Sequence, residues 1–156
     1  LGPLCNPADV KSQAMGIFDP DLTELQAEVL KALNANNIMV FHGRDGLDEI
    51  STTTKTKISQ VINGGAVDTY EFNPLDLGIS IASIDELKGG GAKENADIAI
   101  KILSGEKGPK RDIVLLNAAA GIVVGGQAKD LGDGFRKAAD SVDSGSALAI
   151  LRKLSE

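Results

Sequence analysis

Short apolar runs and an amphipathic stretch alternate along the first part of the chain. Residues 13–18 and 38–41 are short apolar runs, which predict two buried strands. Between them, apolar side chains recur every three or four residues, which predicts a helix that starts at Asp19 and stops before Asn34. Its apolar face, expected to pack on a sheet, comprises Leu22, Leu25, Val29, Leu30 and Leu33. Strand, helix and strand in this order predict a right-handed parallel crossover.

The middle of the chain changes to a two-stranded pattern. Residues 57–62 and 66–72 are β-prone, and the Asn63-Gly64 pair between them supplies the positive φ angles that a tight hairpin requires. Residues 74–92 predict a loop crossing that contains three consecutive glycines, Gly89 to Gly91. Because no Lys-Ser/Thr follows these glycines, we expect a flexible connection ahead of a helix rather than a phosphate cradle.

The remainder of the chain is helical in pattern. Helices are predicted at residues 92–103, 111–124, 131–142 and 146–154. The second of them is apolar nearly all round, which is typical of a buried helix, and its small residues permit close packing. Together these patterns predict an α/β fold: a layered sheet with a parallel strand-helix-strand core, one β-hairpin and flanking carboxyl-terminal helices.

Composition limits the classes of partner. The chain has 156 residues, 42% of them hydrophobic, which is enough for one domain with a sizeable core. Its formal net charge of −6 disfavours a nucleic-acid or anionic-membrane binder. Lys107, Lys110 and Arg111 cluster beside acidic residues, and we expect a solvated helix start there. No apolar stretch approaches the roughly 20 residues that span a bilayer, so no membrane partner is predicted.

The single cysteine and the first residues bear on the cellular setting. Cys5 has no second cysteine with which to form an intramolecular disulfide, so a reducing, cytoplasmic setting is expected. The chain opens with Leu1-Gly2-Pro3-Leu4 rather than with Met, and we expect a piece of a longer protein.

Two adjacent carboxylates, Asp48 and Glu49, lie in a glycine-containing segment directly after the second apolar run. Neighbouring carboxylates repel each other unless a positive charge lies near them, and Mg²⁺ is usually bound by one or two carboxylates together with water and substrate phosphates. In parallel sheets ligands bind beyond the carboxyl ends of the strands, where this segment begins. The pair therefore predicts metal-assisted phosphate chemistry, with an acidic turn that faces solvent as the alternative.

The polar residues on either side of the acidic pair allow several roles. His42 lies at the end of the predicted strand and is interpreted as structural rather than as a general base. Arg44 has Asp45, Asp48 or a phosphate as candidate partners. Ser51 and the three threonines after it are candidates to cap the turn or to bond a carboxylate.

Several motifs occur in a specific order and together carry a family resemblance. They are "LGPLCNP" at 1–7, "HGRDGLDEIS" at 42–51, the hairpin, "LKGGGAKENA" at 87–96 and "LSGEKGPKRDIVLLNAAAGI" at 103–122. In this order they resemble the carboxyl-terminal half of the anthranilate phosphoribosyltransferase family, within the nucleoside phosphorylase/phosphoribosyltransferase group (glycosyltransferase family 3). The combination of "LGPLxNP" with "GLDE" separates this family from its pyrimidine nucleoside phosphorylase relatives.

The resemblance implies an Mg²⁺-dependent pentosyltransferase. Its members transfer a phosphoribosyl group from phosphoribosyl pyrophosphate to the amino group of anthranilate and release pyrophosphate, in tryptophan biosynthesis. By this resemblance, Asp48 and Glu49 match the family's acidic pair that holds the magnesium, and Gly2 and Pro3 belong to a motif that helps to shape the anthranilate end of the site. No residue is assigned as a catalytic base. The resemblance also implies that the intact enzyme is a homodimer, whose interface lies on amino-terminal helices that this chain lacks.

The resemblance further implies that residues 1–156 are the carboxyl-terminal part of the catalytic domain. The family's glycine-rich "GTGGD" loop, its "KHG" segment, the arginine before "LGPL" and its amino-terminal helical domain have no counterpart here, so we expect the isolated chain to be inactive. Two alternatives remain open: a relative of pyrimidine nucleoside phosphorylase, and a non-enzymatic interaction module whose acidic loop is merely solvated.

Overall fold

A four-stranded sheet forms the centre of the molecule. The computed structural model describes residues 2–154, and of Gly2 and Cys5 only their place in the short 3₁₀ helix Gly2–Cys5. The strands are β1 (Ser12–Gly16), β2 (Asn37–Gly43), β3 (Thr56–Val61) and β4 (Asp68–Phe72), in that spatial order. β1 and β2 are parallel, whereas β2 with β3 and β3 with β4 are antiparallel. The predicted α/β fold, its parallel crossover and its hairpin are therefore confirmed.

Helix α1 (Thr23–Ala32) makes the crossover and covers one face of the sheet. The chain enters it through the 3₁₀ helix Pro20–Leu22, where Asp21 N donates to the Asp19 carboxylate at 2.9 Å. Side chains alternate between the two faces of a strand, and Ile38 and Val40 of β2 lie on the face towards α1.

The predicted apolar face of α1 is wrong in part. Leu25 and Leu33 are 56% and 51% exposed, and the buried stripe consists of Thr23, Ala27 and Leu30. Thr23 is fully buried because its hydroxyl donates to Pro20 O and accepts from the Ser59 hydroxyl of β3. The buried face of α1 therefore includes a polar side chain whose hydrogen bonds are satisfied, and the spacing of the leucines did not predict it.

Helix α4 (Pro109–Val124) covers the opposite face of the sheet, where Met39 and Phe41 join Leu116 and Ala119 in one buried cluster. Helix α5 (Leu131–Asp143) packs on α4 from the other side. A Cβ on Gly134 of α5 would lie 2.8 Å from the Ala119 carbonyl oxygen, so the two helices approach at van der Waals distance. The core is therefore layered as α1, sheet, α4 and α5.

Three predictions about α4 are wrong. It begins at Pro109 rather than at residue 111, and it is not buried nearly all round, because Val114, Ala118 and Gly121 face solvent on the side that neither the sheet nor α5 covers. The predicted solvated start is also wrong for Arg111, which is only 3% exposed. Its guanidinium binds both Asp143 carboxylate oxygens, at 2.8 and 3.0 Å, because α5 ends beside the first turn of α4.

The other element bounds agree with the pattern to varying degrees. Helices α3 (Ala92–Leu103) and α6 (Ser146–Leu154) have the predicted bounds. β1 stops at Gly16 rather than at residue 18, and β4 starts at Asp68 rather than at residue 66. The predicted loop over 74–92 contains the 3₁₀ helix Pro74–Leu77 and a short helix, α2 (Ile84–Leu87). Within residues 2–154, no helix has the length and apolarity that a membrane crossing requires.

Candidate metal site

The acidic segment lies where the sequence predicts it, in the connection that leaves the carboxyl end of β2 and returns into β3. The chain first makes a tight turn, in which Gly43 N donates to Leu47 O at 2.8 Å and Gly46 N donates to Gly43 O at 2.9 Å. Gly46 adopts a φ of +92°, which favours glycine. This turn presents Asp48 and Glu49 immediately beyond the end of the strand.

The carboxylate of Asp45 stabilises the turn through hydrogen bonds within it. Its carboxylate accepts hydrogen bonds from Leu47 N at 3.1 Å, from the Ser51 hydroxyl at 2.5 Å and from the Thr53 hydroxyl. Partial burial opposes ionisation of Asp45, but these hydrogen bonds to the charged form outweigh it and lower the pKa of Asp45 overall. The prediction that hydroxyl residues after the pair bond a carboxylate is confirmed for Ser51 and Thr53, and the carboxylate is that of Asp45; Thr52 Oγ1 has no partner among the described residues.

Ile50, directly after the pair, is fully buried and is held by a distant side chain. Its N–H donates to Asn117 Oδ1 at 2.8 Å, and its carbonyl accepts from Asn117 Nδ2 at 2.9 Å. Asn117 lies in α4, 67 positions further along the chain. Sequence reasoning missed this contact, although Asn117 is the one polar side chain in the run from Ile113 to Val124.

Gly16 at the end of β1 makes room for the acidic segment. A Cβ on Gly16 would lie 1.6 Å from Asp48 O and 2.5 Å from Asp48 C, so no larger residue fits without moving the backbone of Asp48. Sequence reasoning also missed this role, because Gly16 was interpreted only as part of an apolar strand. The segment is thus fixed at Leu47, at Asp48 and at Ile50.

The side chains of Asp48 and Glu49 themselves are exposed. Among the ion pairs between side chains in the described part of the chain, none includes either residue. Partial burial and the neighbouring charge of Asp48 raise the pKa of Glu49. A cation near the pair would relieve this repulsion, and the protein supplies none from its described residues.

The donor set suits one class of metal and excludes another. No group of three or more His, Cys, Asp and Glu side chains within the described residues is arranged to hold a metal ion. A closed structural zinc site is therefore absent from this part of the chain. Mg²⁺ commonly takes only one or two protein carboxylates and completes its shell with water and substrate phosphates, so Asp48 and Glu49 fit that ion.

Pro3 and Asp48 line the same cavity, of about 230 Å³, together with Gly16, Phe18 and Gln26. The structure thus places one of the predicted substrate-contacting residues and one of the predicted metal ligands on the same cavity. The prediction for Gly2 lies outside the residues whose surroundings are described. Phe18 is 80% exposed here, although the sequence predicted it as the end of a buried strand.

The remaining candidates do not belong to the acidic pair. Arg44 pairs with Glu71 of β4 rather than with Asp45 or Asp48, because it extends across β3 just beyond the end of β2. The hydrogen bond with Arg44 lowers the pKa of Glu71. His42 is buried, with Nδ1 2.7 Å from Ile17 O; this contact supports its interpretation as a structural residue, which stays a prediction.

The three-glycine segment precedes α3, as predicted, and it is held by a side chain of that helix. Gly90 N donates to Asn95 Oδ1 at 2.8 Å, and Asn95 Nδ2 donates to Gly90 O at 2.9 Å. Added Cβ atoms on Gly89 and Gly90 would collide with Asn95 and Glu94, so the α3 side chains already fill this space. The segment is therefore a loop that is hydrogen-bonded to the first turn of α3, and it leaves no open space for a phosphate at Gly89 and Gly90.

Comparison with known proteins decides the family. Residues 1–148 match the family described as "Glycosyl transferase family, a/b domain". The chain belongs to this family. Glycosyl transferase relatives named anthranilate phosphoribosyltransferase, from Acetivibrio thermocellus and Thermoanaerobacter sp., are each 50% identical over 156 residues, all of this chain. The chain spans 45% and 46% of the lengths of these two relatives.

Comparison with solved structures gives the same result as comparison of sequences. Anthranilate phosphoribosyltransferase from Thermus thermophilus superposes with a TM-score of 0.87 at 36% identity, over 97% of this chain and 44% of that one. The Saccharomyces cerevisiae enzyme in complex with PRPP and Mg has a TM-score of 0.85 at 27% identity, over the same shares of the two chains. A further structure of the yeast enzyme contains 4-fluoroanthranilate.

Proposed function

We propose that the protein carrying this chain transfers a phosphoribosyl group from phosphoribosyl pyrophosphate to anthranilate, a step of tryptophan biosynthesis, and that Asp48 and Glu49 bind the Mg²⁺ that accompanies the donor. The names of the relatives and the PRPP, Mg and 4-fluoroanthranilate complexes of the yeast enzyme support the reaction. Because the chain spans less than half of those proteins, the activity is proposed for the protein that contains it.

One observation supports the metal assignment most strongly. Asp48 and Glu49 are exposed and lack a described ion pair, yet the segment that carries them is fixed through Leu47, Asp48 and Ile50. An acidic turn that is merely solvated requires no such support, because its side chains and backbone are satisfied by water. Fixed, unneutralised carboxylates are instead suited to binding a cation that arrives with a ligand.

The chemistry explains why an acidic pair is useful. In the proposed reaction the bond from ribose C1 to the diphosphate oxygen breaks, a bond from C1 to the anthranilate nitrogen forms, and the nitrogen loses a proton to solvent. Negative charge develops on the departing diphosphate, and a bound Mg²⁺ would supply positive charge there. Asp48 and Glu49 would hold such an ion, which would supply the positive charge that no described cationic side chain supplies beside them.

The acceptor requires placement rather than activation. An aryl amine is neutral near pH 7, so proximity contributes more than deprotonation. His42 is not a general base in this proposal, because it is buried and its Nδ1 is bonded to Ile17 O. Pro3, on the cavity that Asp48 also lines, and Gly2 beside it are proposed to shape the anthranilate end of the site. The family resemblance supports a homodimer of the whole protein, and the single cysteine, Cys5, supports a cytoplasmic location; both are parts of the same proposal.

The test uses the natural gene product that contains this sequence and follows the loss of anthranilate fluorescence with phosphoribosyl pyrophosphate and Mg²⁺. Asp48→Asn/Glu49→Gln is expected to lower kcat/KM by on the order of a hundredfold or more, since charge stabilisation of the leaving group is lost. The matched control is Asp85→Asn/Glu86→Gln, which removes the same charges from the chain's other Asp-Glu pair and is expected to leave kcat/KM within about twofold.

Two results would contradict the proposal. Equal losses in both double variants would show a general charge effect rather than a metal site at 48–49. Cleavage of pyrimidine nucleosides by phosphate, without phosphoribosyl transfer to anthranilate, would instead assign the chain to a phosphorylase.

A further inference from the structure

Asn117 is a polar residue in an otherwise apolar helix, and its surroundings explain its presence. The run from Ile113 to Val124 contains no other polar side chain. Asn is a poorer helix former than the aliphatic residues around it, because its side chain competes for backbone hydrogen bonds. Here the carboxamide makes three hydrogen bonds, to both polar backbone groups of Ile50 and, through Nδ2, to Ile113 O at 2.9 Å.

The contact with Ile50 requires a side chain that carries both a donor and an acceptor. Ile50 is fully buried and lies outside the strands, so its N–H and carbonyl lack the partners that a sheet provides. A carboxamide presents a donor and an acceptor side by side and therefore pairs with both groups at once. Without it, two buried backbone groups would lose their hydrogen bonds, which is costly.

The acidic pair lies between this contact and the Asp45 turn. On one side, Leu47 N donates to Asp45 Oδ1; on the other, Ile50 is bonded to Asn117, which leaves Asp48 and Glu49 as the two residues between fixed points. The direction of the two carboxylates thus depends on the position of α4. When a metal site has only two protein ligands, its affinity depends strongly on the direction of those two side chains, because few bonds fix the ion.

We propose that Asn117 is a positioning residue for the divalent-cation site: it orients Asp48 and Glu49 through the backbone of Ile50 and thereby sets the affinity for Mg²⁺ bound with a diphosphate. This inference rests on the proposed function. It concerns a residue of α4 that touches neither the cation nor the substrate, and it makes α4 a support of the site as well as a layer of the core.

The chain offers a matched control in Asn95. Its carboxamide makes the same two-way contact with a backbone, to Gly90 N and Gly90 O at 2.8 and 2.9 Å, at the start of α3. Asn117→Ala and Asn95→Ala therefore each remove a donor–acceptor pair of hydrogen bonds to one backbone residue, Ile50 and Gly90 respectively, and Asn117→Ala also removes the bond to Ile113 O. Because Ala favours helix more than Asn, neither substitution weakens its own helix directly.

The experiment is calorimetric titration of Mg²⁺ into the natural gene product with saturating pyrophosphate, at a temperature where circular dichroism shows each variant folded. Asn117→Ala is expected to weaken Mg²⁺ binding by about tenfold or more, as substitutions behind metal ligands do. Asn95→Ala is expected to change it by less than about twofold. Unchanged affinity in folded Asn117→Ala, or an equal loss in Asn95→Ala, would overturn the inference.

Two further measurements keep the result decisive. If Asn117→Ala does not fold, hydrogen exchange of the Ile50 amide in the wild-type protein tests the contact directly, and exchange as fast as that of an exposed amide would contradict it. Asp48→Asn/Glu49→Gln in the same titration separates the two proposals. If that variant binds like the wild type, the site itself is wrong; if it loses binding while Asn117→Ala does not, only the role of Asn117 is wrong.

Discussion

The dipeptide Asp-Glu occurs twice between aliphatic neighbours, at 48–49 and at 85–86, and the structure uses the two copies differently. At 85–86 the carboxylates start helix α2: Asp85 pairs with Lys88 at 2.6 Å, and Glu86 accepts from Ser83 N and the Ser83 hydroxyl at 2.8 Å each. At 48–49 neither carboxylate has a described ion-pair partner, and the hydrogen bonds lie behind them, in the backbone.

The difference shows that the neighbours, and not the acids, decide what an acidic pair can do. The hydrogen bonds from Ser83 lower the pKa of Glu86, whereas partial burial and the charge of Asp48 raise the pKa of Glu49. The first pair is already neutralised by its own helix start. The second is supported but unneutralised, which is the state that a metal ligand set requires before its ion arrives.

The largest expected effect comes from the glycine beneath Asp48. Gly16→Ala places a methyl group against the Asp48 carbonyl, so the loop must move, and we expect a loss of about 2 to 3 kcal/mol in the free energy of unfolding. Gly121→Ala is the control, since nothing lies within 4 Å of its added Cβ and an exposed helical Ala stabilises by about 0.5 to 1 kcal/mol. Urea denaturation measures both, and an unaffected Gly16→Ala protein would show that the 48–49 segment is not packed as described.

Two buried threonines beside the segment test its internal hydrogen bonds. Thr56 Oγ1 accepts from Ser51 N at 2.9 Å, whereas Thr52 Oγ1 has no partner among the described residues. Thr56→Val leaves a buried N–H unpaired and is expected to cost about 1 to 3 kcal/mol. Thr52→Val removes an unsatisfied hydroxyl and is expected to be neutral or slightly stabilising. Equal unfolding midpoints in urea for the two variants would argue against this hydrogen-bond arrangement.

Substitution of Asp45 is expected to lower the free energy of unfolding more than substitution of Asp48 and Glu49 does. Asp45→Asn weakens three charge-assisted hydrogen bonds and is expected to destabilise by about 1 to 2 kcal/mol, moderated by the exposure of this side chain. Asp48→Asn/Glu49→Gln is expected to stay within about 0.5 kcal/mol of the wild type in metal-free buffer. Thermal unfolding measures the stability of both variants. A destabilisation of Asp48→Asn/Glu49→Gln as large as that of Asp45→Asn would show that the exposed pair contributes to folding and would contradict the prediction.

The smallest effect is a pH dependence at the other pair. The folded-state pKa of Glu86 is lowered from 4.5 by the Ser83 hydrogen bonds. Its contribution to stability is therefore present above the unfolded-state pKa and is lost as the pH falls through the folded-state pKa. Glu86→Gln is expected to flatten the acid side of the stability curve slightly, as measured by urea midpoints across this range. An unchanged curve would show that the Ser83 contact is not formed in solution.

Local signals predicted much of the fold. The bounds of α3 follow from apolar periodicity and the flanking Gly91 and Gly105, those of α6 follow from apolar periodicity, and the parallel crossover follows from the order of strand, helix and strand. Contacts that depend on distant elements were not predictable in this way. Arg111 is buried because α5 ends beside it, and the inner face of α1 includes Thr23, whose hydroxyl accepts from Ser59 of β3, rather than Leu25.

The same distinction between local signals and distant contacts applies to the candidate metal site. The position of Asp48 and Glu49 beyond a strand end was predictable from the apolar run before them. Their support was not, because Gly16 and Asn117 are distant in the sequence and neither residue type indicates its partner. Arg44 illustrates the converse, since its nearest acids in the sequence are not its partner, which is Glu71 on β4.

The most direct test of the account is paramagnetic broadening by Mn²⁺, which replaces Mg²⁺, in amide NMR spectra of the natural gene product with saturating pyrophosphate. The account predicts that the signals of Asp48 and Glu49 broaden at Mn²⁺ concentrations at which those of Asp85 and Glu86 are unchanged, and that Asp48→Asn/Glu49→Gln abolishes this broadening of residues 48–50. Equal broadening at the two Asp-Glu pairs, or none at 48–49, would contradict it.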